Sequence, residues 1–160
     1  MERVMTGRSK TPRKRPLGRP GLSTVLAVAS TLNLLFSVVG FRKAVQEKIP
    51  YDIGFMKGSA EHIARDQITL GSALSPPTLM MVAQAVGTVR MVKNPGPGAA
   101  RLLGVLGLAM SIGFSMERVF HETVRNPNRS NSPIVAGAES TAIVMAVLGF
   151  TLGWKKALWK

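Results

Sequence analysis

Cysteine is absent from this chain, and aromatic and acidic residues are scarce. The absence of cysteine excludes disulfides, thiolate metal sites and a cysteine nucleophile, and it removes any evidence about the redox compartment. Aromatic residues make up 6% of the sequence, and 8 acids stand against 21 lysines and arginines, which gives a net charge of +13. Such a charge indicates nucleic-acid binding when it lies on a soluble face with stacking aromatics. Here the basic residues flank apolar blocks, so we expect no nucleic-acid partner.

Recognised catalytic signatures are missing as well. The sequence has no P-loop, no glycine-rich dinucleotide fingerprint after a strand, no H-E-x-x-H and no G-x-S-x-G. No cofactor is expected, and no motif identifies a family. The sequence therefore favours a protein that is not an enzyme, and it leaves the enzymatic class open.

Four apolar blocks dominate the rest of the sequence. A helix of about 20 residues reaches ~30 Å, the thickness of a bilayer's hydrocarbon core. We predict membrane spans at 22–41, 68–89, 102–120 and 134–154. Pro76-Pro77 interrupts the second block, which predicts a kinked or restarted helix or a re-entrant segment. The prediction is an all-α, four-helix transmembrane bundle formed by one membrane domain at 21–160.

A basic arm precedes the first block, and it bears on the topology. Residues 1–20 hold seven lysines and arginines, one acid and three prolines, which predicts a disordered tail attracted to anionic lipid. A cleaved signal peptide is the alternative for the first block, but the apolar run exceeds the roughly 7–15 residues of a signal core. With four spans, the tail, the loop after the second span and the C-terminus carry 13 basic residues, against 8 on the other side. The positive-inside rule then predicts cytoplasmic termini, in a bacterial plasma membrane or alternatively an organelle.

Glu139 is an acid within the fourth predicted span. A carboxylate at such a depth costs roughly 2.5–3.5 kcal/mol on insertion scales, so its side chain should face protein or water. We expect either an ion pair with Arg118 or a protonated carboxyl that is hydrogen-bonded to Asn33 or Ser115. Its role is a structural tie between helices, a proton- or cation-coupling site, or a residue near interfacial water.

Two amides are also embedded in predicted spans, Asn33 in the first and Gln84 in the second. Amide side chains commonly hydrogen-bond across helices in membranes, and each such bond contributes roughly 0.6–2 kcal/mol. A substrate-binding role would need both amides to face a cavity. The structural role is the favoured interpretation.

The two histidines have carboxylates close to them in the sequence. Glu61 precedes His62, and Glu117 lies four residues before His121, a spacing that puts both side chains on one helix face. Two such groups meeting at one mouth of the protein would offer ligands for a divalent cation such as zinc or manganese. Ordinary solvated loop charges explain the pattern equally well.

Three function classes remain at this point. The first is a small structural, assembly or accessory membrane protein, which should have a dry, packed interior around Glu139. The second is a small transporter or ligand-binding bundle that uses Glu139, Asn33 and Gln84 in a wet cavity. The third is a membrane enzyme in which His62 and His121 converge. The bilayer is the expected partner, and small-residue stripes on the helices also suit a homo-oligomer or a partner membrane protein.

Overall fold

The chain is mostly helical in a computed structural model that describes residues 20–54, 56–127 and 130–154. Residues 1–19 of the predicted disordered tail (1–20) lie outside these described residues, and Pro20 is the first residue of a helix. The elements in chain order are α1 (Pro20–Gln46), β1 (Asp52–Ile53), β2 (Met56–Lys57), α2 (Ile63–Asp66), α3 (Thr78–Lys93), α4 (Pro97–Met116), α5 (Arg118–Arg125) and α6 (Ser132–Trp154). Within the described residues, α1, α4 and α6 are long and apolar enough to cross a membrane. The chain therefore has the features of a membrane protein.

The four longer helices pack side by side and alternate in direction. α1 packs against α3 and α6, and α4 packs against the same two helices. One apolar cluster contains residues near the start of α1 and α4 and the end of α3 and α6. Leu152 belongs to that cluster and Leu22 packs against it, so both ends of the described chain lie at the same end of the helices. A second cluster around Met110 and Phe114 fills the opposite half.

Glycines allow α4 and α6 to approach until their backbones touch. A Cβ atom added to Gly149 would meet the Cα and backbone nitrogen of Gly104, and it would lie 2.7 Å from the Ala100 carbonyl oxygen. A Cβ added to Gly107 would lie 2.6 Å from the Ala142 carbonyl oxygen. Small residues at such positions let membrane helices pack through backbone contact. The small residues Gly104, Gly107 and Ser111 of the third block, spaced three and four apart, therefore form a stripe that faces a similar stripe on the fourth block, formed by Ala142, Ala146 and Gly149.

The second predicted span differs most from its structure. Its helix, α3, begins at Thr78 rather than at 68 and has 16 residues. Pro77 precedes the first turn, where a missing N–H costs nothing, so the proline pair starts the helix instead of kinking it. The preceding stretch, residues 71–76, is irregular but buried, and Gly71 has a φ of +86° that favours glycine.

The third predicted span ends earlier than expected. α4 stops at Met116, and Glu117 adopts an extended backbone with φ −73° and ψ 135° before α5 begins. The turn is stabilised because Glu117 Oε2 accepts a hydrogen bond from the backbone N–H of Asp52, 3.0 Å away. The short hairpin of β1 and β2, with Asp52 paired to Lys57, therefore packs at the corner between α4 and α5.

Candidate functional site

The two embedded amides meet in the interior, where they connect three helices. Gln84 Nε2 donates to the Ser30 carbonyl oxygen at 2.9 Å and lies 3.2 Å from Asn33 Oδ1. Asn33 Nδ2 in turn donates to the Ala138 carbonyl oxygen at 2.9 Å and to Thr141 Oγ1 at 3.0 Å. Both amide side chains are fully buried. α1, α3 and α6 are thus held together by hydrogen bonds near mid-helix.

Hydroxyl groups extend this polar network along α3. Ser30 Oγ and Thr88 Oγ1 are 2.6 Å apart, and Thr88 Oγ1 also donates to the Gln84 carbonyl oxygen at 2.8 Å. Ser30 is fully buried, and Thr88 is almost so. Gln84 Oε1 accepts no hydrogen bond from any described residue. The network is therefore satisfied on its donor side and has one spare acceptor oxygen.

Glu139 faces α4 rather than α1. Its Oε1 accepts a hydrogen bond from Ser111 Oγ, whereas Oε2 is buried without a partner among the described residues. The predicted partners were Arg118, Asn33 and Ser115, and the structure places none of them on this carboxylate. Ser115 Oγ donates to the Ser111 carbonyl oxygen instead. Ser111 belongs to the small-residue stripe of the third block, which was the available sequence signal for this contact.

The predicted ion pair between Arg118 and Glu139 is wrong. Arg118 Nε donates to Glu122 Oε1 at 2.7 Å, and its Nη1 lies 3.9 Å from Asp52 Oδ2. The break of the helix at Glu117 separates Arg118 from the last turn of α4, which turns its side chain toward α5 and the hairpin. Hydrogen bonding to Glu122 raises the pKa of the exposed Arg118 guanidinium.

The predicted metal ligands do not form a cluster of the size that metal binding needs. No group of three or more His, Asp or Glu side chains is placed to hold a metal ion within ranges 20–54, 56–127 and 130–154. Glu61 and His62 are exposed, whereas Glu117 is buried and bound to the hairpin. Burial raises the pKa of the Glu117 carboxyl, and the hydrogen bond from Asp52 opposes that shift. His121 Nδ1 lies 3.1 Å from the Glu117 carbonyl oxygen, which indicates a local structural contact.

Arg101 lies at the other end of the helices, where α4 begins and α6 ends, and no site was predicted there. Arg101 Nε donates to the Gly153 carbonyl oxygen at 2.8 Å, and its guanidinium carbon lies 5.2 Å from the centre of the Trp154 ring. A Cβ on Gly153 would lie 2.5 Å from Arg101 Cγ, so glycine leaves room for this side chain. The sequence signal for a site at this end was the group of basic residues, Arg90, Lys93 and Arg101, that follows the second block with no acid among them.

Comparison of this chain with known protein families, with curated proteins and with solved structures found no match.

Proposed function

We propose that the protein is a small four-helix integral membrane protein with a structural, assembly or accessory role. The observation that carries this proposal is the hydrogen bonding of the buried polar side chains. The donor groups of Asn33 and Gln84 form hydrogen bonds with atoms of neighbouring helices, so these groups connect the helices and are not free to bind a ligand. The backbone contact between Gly104 and Gly149 closes the α4–α6 side of the interior. A packed interior of this kind suits a protein that acts through partners in the membrane.

We further propose that α3 and the irregular segment before it form the fourth membrane element. A helix of 16 residues reaches about 24 Å, which is shorter than the hydrocarbon core. Irregular backbone is tolerated at membrane depth where protein buries it and its polar groups are bonded. Ser72 and Ser75 exchange two backbone hydrogen bonds, and Thr78 N–H donates to the Gln67 carbonyl oxygen. The segment thus meets that requirement over most of its length.

The proposed orientation puts the two chain ends on the cytoplasmic side. We call the end with Arg90, Lys93 and Arg101 the basic end, because no described acid lies there. The opposite end, the mixed end, holds the acids of the α1–α3 connection and of α5 alongside basic residues. With the N-terminal and C-terminal segments of the sequence counted, this side carries 13 lysines and arginines against 8 on the other, and because basic residues are retained on the cytoplasmic side, the basic end should be cytoplasmic. A bacterial plasma membrane is the proposed location.

Glu139 supports a second candidate function, a small transporter or ligand-binding bundle. Its carboxylate has one hydrogen bond, from Ser111, and no ion-pair partner among the described residues. Ionisable residues inside membrane segments mark ion or proton pathways in many transporters. This candidate requires that water or a cation reach the carboxylate from the mixed end, about 10 Å along α6 from its start.

Cysteine accessibility distinguishes the two candidates, because the natural chain has no cysteine. Ser30→Cys is a nearly isosteric probe of the buried interior, and Glu139→Cys tests the carboxylate position. Ser59→Cys at the mixed end and Gly98→Cys at the basic end are exposed controls. Each variant is labelled in intact cells and in opened membranes with a membrane-impermeant thiol reagent.

The structural proposal predicts protection of Ser30→Cys and Glu139→Cys in both preparations. Ser59→Cys should react in intact cells, whereas Gly98→Cys should react only after the membranes are opened. Reaction at position 139 together with position 59 in intact cells would favour the transporter. Reaction at position 98 but not 59 would reverse the proposed orientation. Reaction of all four positions in both preparations would contradict the membrane assignment.

A further inference from the structure

Arg101 is held in a defined position at the basic end. The hydrogen bond from its Nε to Gly153 satisfies one of the last carbonyl groups of α6, where a cation is also favoured by the helix dipole. The Trp154 ring lies against the guanidinium at 5.2 Å. Among the described residues, the two terminal guanidinium nitrogens donate to no protein group. These nitrogens remain available to an acceptor outside the protein.

The surroundings of Arg101 are positive, and one neighbour is aromatic. Arg90 and Lys93 lie at the same end on α3, are exposed and form no ion pair in the described chain. Trp154 is 58% exposed and contacts Phe150, with ring centres 5.1 Å apart. Tryptophan at a helix end is typical of the headgroup level of a bilayer. A phosphate next to Trp154 would therefore lie at headgroup depth.

We infer that Arg101 and Trp154 form a binding site for the headgroup phosphate of an anionic phospholipid in the leaflet at the basic end. A guanidinium offers paired donors that match phosphate oxygens, and the contacts with Gly153 and Trp154 orient that pair in advance. The absence of described acids at this end removes the repulsion that an anionic headgroup would meet at the mixed end. This site belongs to the folded helices and is separate from any attraction by the N-terminal tail. The inference rests on the proposed membrane function.

The chain provides its own reporter for this site, since it contains only two tryptophans. Trp159→Phe leaves Trp154 as the sole tryptophan beside Arg101. We would reconstitute this variant in vesicles of zwitterionic phosphatidylcholine mixed with anionic phosphatidylglycerol, with bromine on the acyl chains of one lipid at a time. The ratio of quenching by the two brominated lipids gives the preference of the Trp154 site for the anionic lipid.

We expect a clear preference for phosphatidylglycerol in the parent variant. Arg101→Gln should lower this preference about fivefold, because one basic residue near an anionic surface contributes about 1 kcal/mol. Arg101→Lys should lower the preference by a smaller factor than Arg101→Gln, because it keeps the charge and loses the paired donors. Arg42→Gln is the matched control, since it removes from the mixed end one exposed charge that forms no ion pair with a described residue, and it should leave the ratio unchanged. Free glycerol phosphate added outside the vesicles should not alter the ratio.

Equal quenching by the two lipids in the parent variant would overturn the inference and leave the membrane proposal standing. An equal loss of preference with Arg101→Gln and Arg42→Gln would also overturn it, because net charge alone would explain the effect. Reversal of the preference by glycerol phosphate would identify a soluble phosphate as the ligand and would reject the lipid. Absence of quenching by either lipid would instead refute insertion in the membrane. Should Arg101→Gln lose its helical circular dichroism, the parent variant and Arg101→Lys still decide the question.

Discussion

The contact between α4 and α6 makes Gly149→Ala a severe test of the packing described above. The new Cβ would overlap the backbone of Gly104 and lie 2.7 Å from the Ala100 carbonyl oxygen. A carbon atom at ordinary van der Waals distance needs about 3.5 Å, so the helices must separate locally by about 1 Å. Backbone atoms provide every one of these contacts, and no side chain can rotate away to relieve them.

The expected loss of stability follows from two opposing effects. Overpacking of a closely packed interior costs about 1–3 kcal/mol, and rigid backbone neighbours favour the upper part of that range. Replacing glycine by alanine within a helix gives back about 1 kcal/mol. The net loss should be about 2 kcal/mol, which corresponds to a fall of about 4–8 °C in the midpoint of thermal unfolding for a chain of this size.

Gly113→Ala is the matched control, because it places the same change in α4 with nothing within 4 Å of the new Cβ. Its midpoint temperature should equal or slightly exceed that of the parent protein. Both variants would be heated in mild detergent while tryptophan fluorescence is recorded, since Trp154 lies at the end of α6. If Gly149→Ala were as stable as Gly113→Ala, α4 and α6 would not meet through their glycines.

The same assay tests three further predictions. Gln84→Leu removes the donor that joins α3 to α1 and should cost about 0.6–2 kcal/mol; a stabilised variant would show that the hydrogen bonds are absent. The losses of stability caused by Glu139→Gln and Arg118→Leu should add to within about 0.5 kcal/mol in the double variant, since the two side chains bind different partners. A larger deviation from additivity would indicate that the two side chains form an ion pair after all. Burial raises the pKa of Glu117 above its usual value of 4.5, so the stability from its neutral form is lost as the pH rises through the raised pKa. Glu117→Gln keeps an acceptor for the Asp52 N–H, and its stability should rise relative to that of the parent protein over that pH range. A stability difference that does not change with pH would refute the burial argument.

Long apolar runs made three of the helices predictable, because periodicity and length act locally. The predicted start of the first span, residue 22, is close to the observed start of α1 at Pro20, although the helix continues past Phe41 to Gln46. The proline pair was recognised as an interruption, but a sequence does not state on which side of it the helix forms. Burial of Leu74 against Gly40 decides that question, since the Leu74 carbonyl oxygen occupies the position where a Cβ of residue 40 would lie. That contact joins residues 34 positions apart and has no local signal.

Candidate site residues were predictable by type and less so by partner. An amide in an apolar block predicts a hydrogen bond, and both Asn33 and Gln84 form several. Which atom accepts it depends on the rotation of each helix about its axis. For Glu139 that rotation favours Ser111 over Ser115, although both lie on the same stripe of α4. The Arg118 error has another origin, because extending α4 to residue 120 placed that side chain on the wrong helix face.

The polar network also explains how a short, weakly apolar helix keeps its register. Apolar packing alone specifies the rotation of α3 poorly, since its outward valines and its inward small residues would tolerate a slip. Gln84 removes that freedom, because a slip of one residue would move its amide away from Ser30 and Asn33 and leave buried groups unbonded. The same buried amide that the alternative function would use for a substrate is thus needed to position α3. A variant that loses Gln84 should therefore weaken the α1–α3 contact, which is the effect expected of a structural role.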